Sequence, residues 1–326
     1  VTGLMPPVRN PYVLPGREFD PARPPRPWDP AERDLGPYPY SDFGGHADGF
    51  DRFKAALANA ESRCAAGLVV VVDGPERCGK STLLHRCAGW LREKLGGDER
   101  VHVFDFSENP YLGPSDGSAP PTVDNRLAHL AQLITVRLHE FQMEGWTRDL
   151  SDPGTDLTAA YGRLGTLHRT DKNRPYFLII PPALQPDLPM PELERVRAQT
   201  SPGVVTFLEY SSAGHGPPPP DGRPRPPVRV SLRYLEADET DKVVHAWPGA
   251  DAARPDIAEG AMTQLQSSPL VRQLSMGMFL GTLQQVYASR TDPANRFRDR
   301  DSVDYVELFE AMFEVLRRQS ATGRRW

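Results

Sequence analysis

Apolar positions along this chain follow two rhythms. Continuous runs at Val69-Val70-Val71-Val72, Tyr176-Phe177-Leu178-Ile179-Ile180 and Val204-Val205-Thr206-Phe207-Leu208 are too short for helices. Such runs are how strands buried on both faces of a parallel sheet look in sequence. Val101 to Phe106 and Val228 to Leu232 alternate enough to predict two further strands. Between these runs the apolar period lengthens. Val123, Leu127, Leu130, Ile134, Leu138 and Phe141 recur at helical spacing behind an N-cap candidate, Thr122, and predict a long amphipathic helix. Helices are also expected over 48–60, 81–95, 157–168 and 192–198. From Leu235 onward the pattern is helical throughout, in ADETDKVVHAW, DIAEGAMTQL, SSPLVRQLSMGMFLGTLQQVYA and DSVDYVELFEAMFEVLRRQ. The expected fold is therefore α/β, a parallel sheet flanked by helices and followed by an all-helical subdomain.

Proline changes the picture at two places. Eleven prolines fall in residues 1–40 and seven between Pro217 and Pro227, so both stretches read as extended connecting segments. The expected division is an arm over 1–40, an α/β unit over 41–233 and a helical unit over 234–326. Net charge is −5, with no helix-turn-helix and no basic stripe, which gives no clear reason to expect nucleic acid. Cys64, Cys78 and Cys87 form no metal or disulfide spacing, and no window is long and apolar enough to span a membrane, so a reduced, cytoplasmic protein is expected.

The chemistry concentrates after the four valines. Gly74-Pro75-Glu76-Arg77-Cys78-Gly79-Lys80-Ser81 fits the phosphate-loop pattern G-x-x-x-x-G-K-[ST], with Thr82 next. Gly74 and Gly79 let backbone amides curl round a phosphate, Lys80 supplies a point charge, and the Ser81 hydroxyl is a magnesium ligand candidate. The following helix aims its positive end at the same anion. Lysine is scarce, five against 33 arginines, so a lysine at this position is not background. Cys78 occupies a variable position of the pattern and reads as a small filler. No N-K-x-D guanine-reading motif occurs, which makes ATP the expected nucleotide.

With this loop in place, the chain resembles the AAA-type and STAND-like P-loop ATPases, over residues 38 to about 290. Phe43-Gly44-Gly45-His46 is similar to the phenylalanine–x–glycine–arginine box that precedes the loop strand in those proteins, with His46 where arginine is usual. The resemblance implies that this segment, Phe43 included, lies near adenine. It implies that the C-terminal helices form a nucleotide lid, with Pro269 in a turn touching nucleotide and Arg272 reaching the γ-phosphate. The strand over 176–180 corresponds to the one that normally ends in magnesium-positioning acids, yet here it ends in Pro181-Pro182-Ala183, and Asp187 lies beyond. The additional-strand arrangement of these families would put the 204–209 strand beside the loop strand, making Glu209 the substitute catalytic acid. Asp105 and Glu108 are more remote candidates. A neighbouring subunit's arginine completes the site in AAA proteins, and Arg195 and Arg197 are the candidates for that part.

The implied function is an ATP- and magnesium-binding switch or assembly ATPase with weak or partner-dependent hydrolysis. The proline-rich arm would clasp a second copy or another protein. Two alternatives stay open: a nucleotide-binding scaffold that does not hydrolyse, and a P-loop kinase using Asp105.

Overall fold

A computed structural model describes residues 24–30, 32, 43–109, 122–143, 155–184, 189–211, 226–246, 256–268, 274–290, 292, 294–297 and 302–322. Five strands, β1 (Leu68–Gly74), β2 (Val101–Asp105), β3 (Tyr176–Ile180), β4 (Val204–Ser211) and β5 (Val228–Ser231), form one sheet. Its order is β2-β3-β4-β1-β5, with every pairing parallel. The loop strand β1 is thus internal, and all seven of its residues are buried.

The pleat sends alternate residues of β1 to opposite faces. Val70 and Val72 join Phe53, Leu83, Leu84, Cys87, Leu91 and Phe207 on one side. That side is covered by α1 (His46–Ala56), α2 (Ala60–Ala65) and α3 (Lys80–Lys94). Val69 and Val71 join Leu130, Ile134, Leu138, Leu164, Leu193 and Leu208 on the other. There α4 (Val123–Met143), α5 (Leu157–Thr170) and α6 (Pro189–Arg197) pack. The helix expected over 48–60 is two helices, because Arg63 reaches back to the Ala56 carbonyl at 2.7 Å and satisfies the end of α1.

A separate cluster, including Val243, Leu265, Phe279, Leu283, Leu308 and Met312, builds the C-terminal part. It comprises α7 (Ala237–Ala246), α8 (Glu259–Ser267), α9 (Met276–Arg290) and α10 (Tyr305–Thr322). One departure from a purely helical pattern occurs here. Asp256–Ile257 (β6) and Ser302–Val303 (β7) lie side by side as a short parallel pair, and Ala258 N–H donates to the Val303 carbonyl at 2.9 Å. The two leads into α8 and α10 use each other's backbone groups, which neither could satisfy alone. No helix among the described residues is long and apolar enough to cross a membrane.

Part of the proline-rich arm, residues 24–30, lies on this chain's own α3. Pro27 sits against Gly89, where an added Cβ would meet it at 2.7 Å. The His85 Nδ1–H donates to the Pro25 carbonyl at 3.0 Å, the Trp28 ring stands edge-on to His85, and Arg26 pairs with Asp105 at 2.6 Å.

Candidate nucleotide site

The loop between β1 and α3 takes its shape from backbone signs. Arg77 (φ 64°) and Gly79 (φ 81°) are left-handed and Cys78 between them is not, an alternation that makes successive amides converge into an anion-binding concavity. Gly79 is also the N-cap of α3. It offers no side-chain cap, and no acid stands in the first turn. A helix end left this way presents its first amides and its positive dipole end to whatever anion enters.

The loop is held from outside at two consecutive carbonyls. His46 Nε2–H donates to the Cys78 carbonyl at 2.8 Å, and its ring sits where a Cβ on residue 79 would be, 2.8 Å from Nε2. Glycine is therefore required at 79 for space as well as for backbone sign. Burial, aided by Arg86 and opposed by the Cys78 carbonyl and Glu239, lowers the His46 pKa to about 4. The imidazole is neutral at pH 7. The other carbonyl, of Arg77, accepts from the Gly277 amide in the first turn of α9 at 2.7 Å.

Inside the loop, Lys80 is buried and its ammonium donates to the Pro75 carbonyl at 2.7 Å. Ser81 Oγ–H donates to Glu209 Oε2 at 2.6 Å across a separation of 128 residues, and Glu209 Oε1 stands 3.8 Å from Lys80 Nζ. The sheet order explains that meeting. Strand β4 runs beside β1 with Glu209 level with Val72, so its side chain leaves on the face that α3 covers. Hydroxyl and carboxylate oxygens suit a hard cation, and magnesium takes few protein ligands when phosphate oxygens and waters complete its shell. Among the described residues no cluster of three or more His, Cys, Asp or Glu could hold a metal by itself.

Cys78 is buried, and burial, opposed by Lys80, pushes its thiol up to about 11, so it stays protonated and behaves as a small apolar residue. Gly74, Pro75, Glu76 and Thr82 lie in or beside the loop in chain order. Phe43 is buried with Leu235 and Val243 in the C-terminal cluster. Its neighbour Gly44 links the two parts of the molecule, accepting from Arg233 N–H at 3.0 Å and donating to Glu239 at 3.1 Å. Pro269 and Arg272 lie outside the described residues.

Other expected acids and arginines are engaged elsewhere. Strand β3 ends at Ile180, and Pro181 and Pro182 line a small cleft with the buried Arg126–Glu192 pair, at 2.9 Å. Asp105 is enclosed by Arg26 and by Ser107, whose hydroxyl donates at 2.6 Å. Burial alone would raise its pKa, but His85, Ser107 and Arg26 together hold it below the ordinary value. Glu108 meets Arg26 at 3.1 Å. Arg195 pairs with Asp124. Arg197 is buried within its own chain and is not an exposed guanidinium for a neighbour.

The apolar pattern predicts Gly277 to be an ordinary position of a long helix. A signal existed. Serine, methionine and glycine in Ser275-Met276-Gly277 open a helix whose Ser275 Oγ caps the Met278 amide at 3.3 Å, and a glycine is costly there without a close neighbour.

No protein-family model and no curated protein matches the sequence. Among solved structures, Cdc6p from Pyrobaculum aerophilum is similar at 11% identity, covering 88% of this chain and 70% of that one, with a TM-score of 0.51. The fold is that of the AAA-type P-loop ATPases. The AAA-type order leaves β4 between β1 and β3, the arrangement that brings Glu209 to Ser81. Two further structures have TM-scores of 0.46. One is the ORC2 protein of Aeropyrum pernix in ADPNP and ADP complexes, at 12% identity over 82% of this chain and 67% of that one. The other is Drosophila ORC bound to DNA, at 11% identity over 82% and 60%.

Proposed function

We propose that the chain binds ATP with magnesium at the loop 74–82 and acts as a nucleotide-dependent switch or assembly ATPase whose own hydrolysis is very slow. The observation that carries this reading is the uncapped start of α3, with Lys80 buried behind it and Ser81 bonded to Glu209. In the bound state Lys80 exchanges the Pro75 carbonyl for phosphate oxygens, and the amides of residues 79–82 take the rest of the charge. Bound magnesium would neutralise phosphate charge beside Ser81, and Glu209 would orient water or the metal's shell. Residues 41–233 would form the nucleotide unit and 234–326 the lid, with Pro269 and Arg272 on the lid side.

Slow turnover follows from the end of β3. A P-loop hydrolase needs carboxylates to hold magnesium through water and to place the attacking water, and prolines do neither. A partner, or a second copy of the chain, would supply what is missing. A non-hydrolysing scaffold is the second reading, favoured by the same Pro181-Pro182 ending.

Calorimetry with ATP, magnesium and purified protein tests the proposal. Lys80→Ala removes a charge-assisted contact and should weaken ATP binding by about tenfold or more. Equal affinity in both proteins would reduce the loop to a structural turn.

A further inference from the structure

We propose that Gly277 is a positioning residue for the phosphate loop: its amide makes the helical part of the molecule a component of the phosphate site. This rests on nucleotide binding at residues 74–82. A trans peptide is flat, and its carbonyl and amide point in opposite directions. Gly277 N–H holds the Arg77 carbonyl toward α9 at 2.7 Å, which turns the Cys78 amide to the opposite side. His46 does the same for the next peptide from α1, holding the Cys78 carbonyl and turning the Gly79 amide. The two amides that result are those the alternating backbone signs of Arg77, Cys78 and Gly79 bring together.

The contact favours glycine for a reason of space, since residue 277 has an ordinary helical backbone and any larger residue would have to push the Arg77 peptide by a few tenths of an ångström. A Cβ there would meet the Arg77 carbonyl oxygen at 3.0 Å and the Arg77 Cβ at 3.1 Å. Arg77 holds a left-handed conformation that a side chain disfavours, and such conformations persist where surroundings impose them. The α9 amide is part of what imposes it. The helix start agrees: Ser275 accepts from the Met278 amide and Arg77 from the Gly277 amide, so a loop carbonyl takes up one of the donors that α9 leaves open.

Helix α9 packs on α10 through the cluster that contains Phe279, Leu283 and Leu308. A shift of those helices therefore moves or releases the Arg77 peptide. By linkage, a phosphate that fixes the loop also favours the docked position of α9. The lid reaches the loop through the backbone, before any side chain of the lid touches nucleotide.

The test compares ATP affinity and unliganded melting temperature in the full chain for Gly277→Ala, Gly281→Ala, Arg77→Gly and the Gly277→Ala/Arg77→Gly double variant. Gly281 is on the same helix, and a Cβ there meets only Val315 at an ordinary 3.5 Å. Alanine favours both helix positions intrinsically, so neither substitution should lower the melting temperature through helix propensity. Gly277→Ala should weaken ATP binding by about fivefold or more, the scale of one lost peptide hydrogen bond, and Gly281→Ala should not. In the double variant the contact with the Arg77 Cβ is gone while the one with the carbonyl oxygen remains, so the fall in affinity relative to Arg77→Gly alone should be smaller than the fall from the parent to Gly277→Ala. Unchanged affinity in Gly277→Ala, with Lys80→Ala still impaired, overturns the positioning role and leaves nucleotide binding standing. Unchanged affinity in both overturns nucleotide binding itself. A Gly277→Ala protein that loses stability and affinity together, with no recovery in the double variant, shows a structural glycine only and also overturns the proposal.

Discussion

Two strand ends in one sheet, those of β1 and β3, have been furnished in opposite ways. Strand β1 runs into a glycine-bounded loop, an uncapped helix, a buried lysine and a serine bonded to a glutamate from the next strand. Strand β3, two places away, runs into two prolines packed by an arginine–glutamate pair. Holding phosphate needs converging amides and a cation, whereas splitting it needs a carboxylate beside the attacking water. In the proposed reading the two tasks are separated within one fold: the chain would keep the first, with Glu209 as the acid beside the loop.

Glu209 is the place to break that contrast most sharply. Glu209→Gln keeps the shape of the side chain and removes its charge. In the proposed site, any phosphate release by the isolated protein should fall to background while ATP binding survives. Robust release that is unchanged in Glu209→Gln would mean that another acid, not on β4, serves the site.

The end of β3 should prove structural when tested in the same way. Arg126→Met strands the buried Glu192 carboxylate, and removing one partner of such a pair costs about 3 kcal/mol or more. Denaturant unfolding should show that loss, while ATP affinity measured below the transition stays near the parent value. A large loss of affinity with little loss of stability would tie the β3 end to nucleotide after all.

A smaller effect separates the clamp on β1 from the rest of the core. His46 is neutral in the fold, with its pKa lowered to about 4 from an ordinary value of 6.5. The unfolded chain takes up a proton first as pH falls, so this histidine's contribution is intact above pH 6.5 and is lost progressively toward pH 4. The full loss is about 3 kcal/mol, at roughly 1.4 kcal/mol per unit. His85, buried on α3, is lowered too and adds a slope of the same sign. Replacing His46 with Asn should therefore flatten stability against pH between 4 and 6.5 without abolishing the dependence. An unchanged slope would show that burial does not hold His46 neutral in this pH range.

The arm and the lead into α8 show why some of the molecule was hidden in the chain. The arm reads as an extended segment suited to a neighbour, because proline content describes stiffness and not destination. Its docking on α3 depends on Gly89 leaving room for Pro27 and on Asp105 facing Arg26 across 79 residues. Asp256–Ile257 has a helical pattern by its neighbours, and only the adjacency of Ser302–Val303 makes it a strand.

By itself the sequence determined the elements and the loop. Short continuous runs rich in valine and isoleucine suit a strand buried on both faces, a 3.6-residue apolar period buries one stripe of a helix, and G-x-x-x-x-G-K-S sets a local backbone path through its glycines. Resemblance pointed to Glu209, and tertiary structure decided its partner and the other residues that complete the loop. Glu209 reaches Ser81 because β4 lies next to β1, His46 reaches Cys78 because α1 packs on α3 and β5, and Gly277 reaches Arg77 because the C-terminal helices dock at the loop's outer side. Each of these is a contact between segments far apart in the chain, made by a residue type common anywhere. Local pattern carries information about what a segment buries, and none about which distant carbonyl or hydroxyl it will meet when burial is complete.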